Sequence, residues 1–358
     1  MGHRVTAVAV AAVVVFDIFM AAGTPGRAQQ MQMPATPEPS TSGIRMADEP
    51  VPDAGVPKAS EDIGGKPLAY KLVNGVKVFE LVAHPVKWKI QSKFEMQPEV
   101  WATAWTYNGT VPGPMIRVTE GDRVRVVFTN LLPEPTSIHW HGVPVPNAMD
   151  GVAQPALTQK PVMPGQTFTY EFVAKPVGTF FYHSHYETDR QINTGLFAPL
   201  IIDPRHRLGA PSPVARDVVL MLNEWRIDPA TGKTWPAMPA MGEPNYFTIN
   251  GKAFPDIPAI TVKKGQRVRL RFIGAGQFLH PMHLHGMAFK IVATDGHPVP
   301  PAAQLTKDTL PITPGERYDV EFVADNPGKW ALHCHVLHHA TNNDMEPGGL
   351  LTIVNVMP

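Results

Sequence analysis

The chain has a single cysteine, Cys334, among its 358 residues, so no disulfide framework can hold it together. It also lacks a charge bias: 31 Lys and Arg face 31 Asp and Glu. Nothing in that balance suggests a basic tail for nucleic acid or a basic face for a membrane surface. The apolar stretch from Val5 to Ala22 is interrupted by Asp17, which argues against a stable transmembrane helix. No twin arginine precedes it. What the chain has in excess is proline, 39 residues, roughly twice the usual share. Short Val, Ile and Phe runs punctuated by proline indicate an all-β chain. The length suits two domains, each large enough for its own core.

Residues 1–28 read as a secretory signal. His3 and Arg4 give a short positive start, an apolar run follows, and Gly26-Arg27-Ala28 offers a small-x-small cleavage site. Residues 29–64, rich in Pro, Ser, Thr, Ala and Met, read as a disordered linker. Met31, Met33 and Met46 are accounted for by that composition, although thioethers can hold cuprous ion loosely. Structured chain is expected from about Lys66. Val76 to Leu81 alternates as a half-buried strand, Val82 to Ile90 continues it, and Arg123 to Phe128 is a second clear strand.

The chain then repeats itself. Asn108-Gly109 returns as Asn250-Gly251. Gly121-Asp122-Arg123-Val124-Arg125-Val126 returns 144 residues later as Gly265-Gln266-Arg267-Val268-Arg269-Leu270. His139-Trp140-His141-Gly142 returns at the same offset as His283-Leu284-His285-Gly286. Glu171-Phe172-Val173-Ala174 and His183-Ser184-His185 return 150 residues on as Glu321-Phe322-Val323-Ala324 and His333-Cys334-His335. Two β-sandwich domains of one ancestry follow, residues 65–205 and 206–358, joined by a Pro-rich linker near 204–216. The segment from Asp228 to Pro244 has no period and reads as a surface loop.

Histidine is concentrated rather than scattered. Four windows, 139–141, 183–185, 280–285 and 333–339, hold eleven of the 15 histidines where chance would give fewer than one. Metal ligation explains such clustering; core packing does not. In a strand, residues i and i+2 share a face. Each His-x-His pair therefore aims two imidazoles one way, while Cys334 points opposite to His333 and His335. A free thiol in an exported chain is an oxidation liability unless bound. A thiolate with imidazoles suits blue copper.

These four motifs, in this order, resemble the signature of the multicopper oxidases, over nearly all of residues 66–358. With two cupredoxin-like Greek-key domains and the cysteine only in the second, the chain is most similar to the two-domain laccases. The resemblance implies four coppers per chain. Type 1 copper would use His280, Cys334 and His339. Type 2 would use His139 and His283. The type 3 pair would use His141, His183, His185, His285, His333 and His335. Ser184 replaces the cysteine in domain 1, which therefore lacks a blue copper of its own. His338 is read as a neighbour without copper, and His84, His206 and His297 as ordinary imidazoles. The resemblance further implies a homotrimer with each trinuclear cluster shared between subunits.

The axial position of type 1 copper stays open between Leu350, which the internal repeat favours, and Met345. Asp150 matches an acid that assists proton delivery in the family; an Asp-Gly turn is the plain alternative. Ala340 stands where some three-domain relatives carry a second acid. The implied function is an exported oxidase, periplasmic or extracellular, with no membrane span once mature. It would couple one-electron oxidation of phenolic or aromatic reductants to reduction of dioxygen to water. The alternatives are a cuprous, ferrous or manganous oxidase, for which the loop bearing Met238 and Met241 is sparse, a two-domain copper nitrite reductase, and a copper-free envelope scaffold.

Overall fold

A computed structural model describes residues 49–205, 214–237 and 243–358. The signal reading, Met31, Met33, Met46, His206, Met238, Met241 and most of the expected linker at 204–216 fall outside them. The principal strands are β1 (Val76–Gln91), β2 (Val100–Tyr107), β3 (Ile116–Thr119), β4 (Arg123–Asn130), β5 (His139–His141), β6 (Thr167–Val173), β7 (Gly178–His183) and β8 (Phe197–Asp203). After them come β9 (Arg216–Ile227), β10 (Tyr246–Ile249), β11 (Ile260–Lys263), β12 (Arg267–Gly274), β13 (His280–Leu284), β14 (Phe289–Thr294), β15 (Thr309–Ile312), β16 (Arg317–Val323), β17 (Gly328–Cys334) and β18 (Leu351–Met357). A short helix α1 (Thr188–Asn193) follows β7.

The repeat in the sequence is a repeat in topology. One sheet runs β1-β4-β6 with β2 on β1, and a second runs β3-β8-β7-β5. Further along, β9-β12-β16-β14 with β10 on β9 repeats the first pattern, and β11-β18-β17-β13-β15 repeats the second. In each of the four sheets one pair is parallel, β1 with β4, β3 with β8, β9 with β12, and β11 with β18. The Asn-Gly turns reverse the chain in both halves, each closed by an isolated bridge, Tyr107 with Thr110 and Ile249 with Lys252. Asn108 and Gly109 have φ of 52° and 79°, Asn250 and Gly251 53° and 71°, the positive pair of a tight two-residue reversal.

Strand alternation builds the cores. In β4, Val124, Val126 and Phe128 are at most 1% exposed, while Arg123 faces solvent. Trp140 is fully buried between Tyr170, Phe172 and Tyr182, with ring centroids 4.9–5.6 Å away. Because it points inward, His139 and His141 on either side must point outward together. A further cluster joins the halves through Trp88 and Ile90 of β1, Phe181, Met221, Trp225 and Ile273. The Trp88 indole N–H donates to the Gly251 carbonyl at 2.6 Å.

Two segments differ from their sequence reading. Part of the supposed linker packs: Val51 is 2% exposed and its N–H donates to the Thr234 carbonyl, and Ala59 N–H donates to Lys87. A single Val amid Pro and Ala gives no period, so only the tertiary partner reveals it. The supposed loop 228–244 returns to β9 through Thr234–Trp235, and Thr234 and Ala237 are fully buried. No helix among the described residues is long and apolar enough to cross a membrane.

Candidate metal centre

Three segments meet at Cys334. β13 begins with His280, β17 ends with Cys334, and a 3-10 turn over Leu337–Ala340 carries His339. His280 and Cys334 are fully buried and His339 is 7% exposed. Cys334 Sγ lies 3.6 Å from His339 Nδ1 and 3.9 Å from His280 Nδ1, and the two nitrogens are 3.0 Å apart. For bonds of about 2.0 Å to nitrogen and 2.3 Å to sulfur, a trigonal ion needs edges of about 3.5 and 3.7 Å. The triangle fits with a small opening between the rings, and a Cys with two His is the set that suits copper. Burial pushes the Cys334 thiol up to about 12, with the Glu224 charge also raising it, so metal binding there must displace a proton. Burial likewise lowers His339 to about 3, keeping its ring in the neutral, ligating form.

Glu224 on β9 was not singled out from the sequence, although an acid amid Val218 to Trp225 is itself a signal. It is fully buried, and one carboxylate oxygen lies 2.5 Å from His280 Nε2. Leu350 N–H donates to the His339 carbonyl and Cys334 N–H to the Leu350 carbonyl. Leu350 is fully buried in the core cluster that contains Cys334, whereas Met345 is part-exposed on the preceding loop.

Opposite Cys334, His333 of β17 and His335 just past its end join His283 and His285. Ring centroids within this set are 4.7–5.8 Å apart, and His285 Nε2 is 3.0 Å from His333 Nε2. In the first half, His139, His141, His183 and His185 form a matching set with centroids 5.2–6.3 Å apart. Backbone carbonyls anchor the rings: Asp150 to His139 Nδ1 (2.7 Å), Ser184 to His183 Nδ1 (2.7 Å), Asp308 to His283 Nδ1 (3.1 Å) and Cys334 to His333 Nδ1 (2.9 Å). Such an N–H···O=C contact turns Nε2 into the lone pair that faces inward. Burial holds His141 near a pKa of about 3 and His183 well below its ordinary value, and lowers His185 and His333. His185 Nδ1 is buried without a partner. Among the described residues, ring contacts connect each set internally and none joins one set to the other.

The remaining candidates are also placed. An Asp150 carboxylate oxygen lies 3.4 Å from His139 Nδ1. His338 pairs with Asp344 at 3.4 Å on the surface, apart from both sets. His84 lines a groove of about 760 Å³ on β1, and His297 is exposed.

The first half keeps the shape of the Cys334 site without its ligands. Ser184 N–H donates to the Leu196 carbonyl as Cys334 does to Leu350, and Leu196 N–H donates to Gln191 as Leu350 does to His339. Ser184 thus matches Cys334, and Gln191 matches His339. The repeat offset of 144 matches Thr136 to His280. Thr136 Oγ1 lies 2.7 Å from Gln191 Oε1 and 3.4 Å from Ser184 Oγ, and Ser184 donates to Gln191. Both hydroxyls donate to the one Gln191 amide oxygen, which puts oxygens where a metal would need nitrogen and sulfur.

Known proteins carry the same pattern. Residues 90–207 and 228–345 each match a family model described as multicopper oxidase. The blue copper oxidase of Nitrosomonas europaea is 38% identical with a TM-score of 0.69, over 78% of this chain and 85% of that one. The multicopper oxidase mgLAC is 37% identical with a TM-score of 0.70, over 78% and 86%. The multicopper oxidase MmcO of Mycobacterium tuberculosis is 33% identical over 61% of this chain and 47% of its own length. The chain spans less than half the length of the first curated relatives it matches.

Proposed function

Because this chain belongs to the multicopper oxidase family, we propose that it oxidises phenolic or other aromatic reductants one electron at a time and reduces dioxygen to water. The observation that carries the reading is the end of β17, where Cys334 faces His280 and His339 while His333 and the next residue past the strand, His335, face His283 and His285. Copper, when bound, supplies the one-electron chemistry. His280, Cys334 and His339 would hold type 1 copper. His139 and His283 would hold type 2, and His141, His183, His185, His285, His333 and His335 the type 3 pair.

The chain's own residues do the rest. Two peptide bonds join Cys334 to the histidines on the opposite face, a covalent conduit between the sites. The carbonyl anchors keep each imidazole in a ligating tautomer. The Asp150 carboxyl, beside His139, is the group to hold and pass a proton while water forms. Leu279 and Leu337, 44% and 65% exposed beside His280 and His339, offer an apolar landing for an aromatic ring.

Each histidine set would be half a cluster, and among the described residues no ring contact joins them. A head-to-tail ring of three copies would bring the first set of one subunit to the second set of its neighbour. Residues 65–205 and 206–358 would be the two domains, and residues 1–28 an export signal to the periplasm or outside. The exposed His338–Asp344 pair beside His339 favours a second reading, oxidation of cuprous or another reduced metal ion. Copper analysis, visible and EPR spectra and sizing of the copper-loaded chain test the proposal. About four coppers per chain, an intense blue band and a trimer are expected. One copper per chain, or a fully active monomer, would overturn the shared cluster, and a comparison of turnover on a phenol and a cuprous salt separates the two readings.

A further inference from the structure

We propose that Glu224 is a positioning residue for His280, holding that imidazole in the tautomer and orientation that leave Nδ1 free for copper. The inference rests on the reading of His280, Cys334 and His339 as a copper site and adds to it a residue on a different strand. Glu224 is fully buried, and its carboxylate meets three donors. One oxygen takes the His280 Nε2–H at 2.5 Å and the Phe278 N–H at 3.3 Å; the other takes the Gln277 N–H at 2.9 Å. All three partners donate, which suits a group that only accepts. With Nε2 carrying the proton, the lone pair of the ring must be on Nδ1, the atom that faces Cys334 Sγ and His339 Nδ1.

The same carboxylate ties β9 to residues 277 and 278, the last turn before His280. The loop is shaped around it: a Cβ at Gly276 would come within 1.9 Å of a Glu224 oxygen. Gly276 therefore leaves room for the carboxylate, and a side chain there would have to push it aside.

The internal repeat gives an independent control. Glu224 pairs with Phe247, and its counterpart in the first half, from the pairings of β1 with β2 and β4, is Pro85 opposite Trp105. There the place of His280 is taken by Thr136, which has no ring to orient. The acid is present only in the half that has the cysteine.

The test compares copper-loaded wild type with Glu224→Gln and Glu224→Leu in the full chain. An amide cannot accept on both sides, so Gln loses one of the three contacts and the charge; Leu loses all. Affinity for copper at the blue site, measured by chelator competition, should fall by about 10- to 100-fold in both. The reduction potential of the blue band should rise, because a buried negative charge near the metal favours the oxidised ion. Folding is checked on copper-free protein by thermal unfolding. A residue that merely packed would change that stability and leave affinity and potential alone. Folded variants with wild-type affinity and potential would overturn the proposal, and the Gln variant, whose side-chain oxygen still accepts, serves if Leu, which leaves three donors without their acceptor, does not fold. Absence of a blue band in wild type itself would instead remove the copper assignment beneath it.

Discussion

Acidifying the copper-free protein should destabilise it through His339, by an amount that can be worked out. The ring is 7% exposed, stacked on Phe247 at 4.3 Å, and burial holds its pKa to about 3 against an ordinary value of 6.5. Above pH 6.5 neither folded nor unfolded chain carries a proton there, so the group contributes nothing. Below it the unfolded chain takes up a proton that the folded one refuses, and stability is lost progressively until about pH 3. At pH 5 the loss is about 2 kcal/mol. His141, lowered to about 3 by burial and by Arg317, acts in the same direction. Urea unfolding at pH 7.5 and 5.0, at fixed protein concentration, measures the change. His339→Gln is the comparison, since Gln191 is what the first half carries at that place, and it should lose about 2 kcal/mol less than wild type between the two pH values. A variant that loses as much as wild type would refute the assignment of the effect to this ring.

Other outcomes follow from the same geometry. Leu350→Met conserves volume and should cost under about 1.5 kcal/mol; a thioether at that buried place should lower the potential of the blue band, and an unchanged potential would place the axial position elsewhere. Trp140→Ala should cost about 3–5 kcal/mol in unfolding free energy, with copper lost from the trinuclear site before the blue site, as metal analysis against absorbance would show. Asp150→Asn should slow dioxygen reduction while leaving the blue spectrum intact, and a full-rate variant would return Asp150 to a turn role. Combining Thr136→His, Ser184→Cys and Gln191→His should add one copper per chain and a second blue centre; a folded triple variant with unchanged copper content would show that shape alone does not retain the site.

The two strand patterns, the repeat and the eleven clustered histidines were legible because each is local. Alternation fixes which face a side chain takes, and His-Cys-His divides its ligands between faces by that rule alone. Val51 and Thr234 were not legible, because no period marks a residue whose partner lies far along the chain. Nor was Glu224: its role exists only where β9 passes the turn before β13. Gln191 and Thr136 likewise read as unremarkable polar residues until the hydrogen bonds around Leu196 and Leu350 align them with His339 and His280.

The sequence alone therefore determined the clustered histidines and the lone cysteine, the all-β class and the internal repeat, since spacing along a strand and repetition along a chain need no third dimension. The tertiary structure decided which of these side chains meet. It closed His280, Cys334 and His339 into one buried triangle, put an acid behind one corner, and left the two histidine sets apart, because convergence of distant strands depends on sheet pairing and core packing that no single segment encodes.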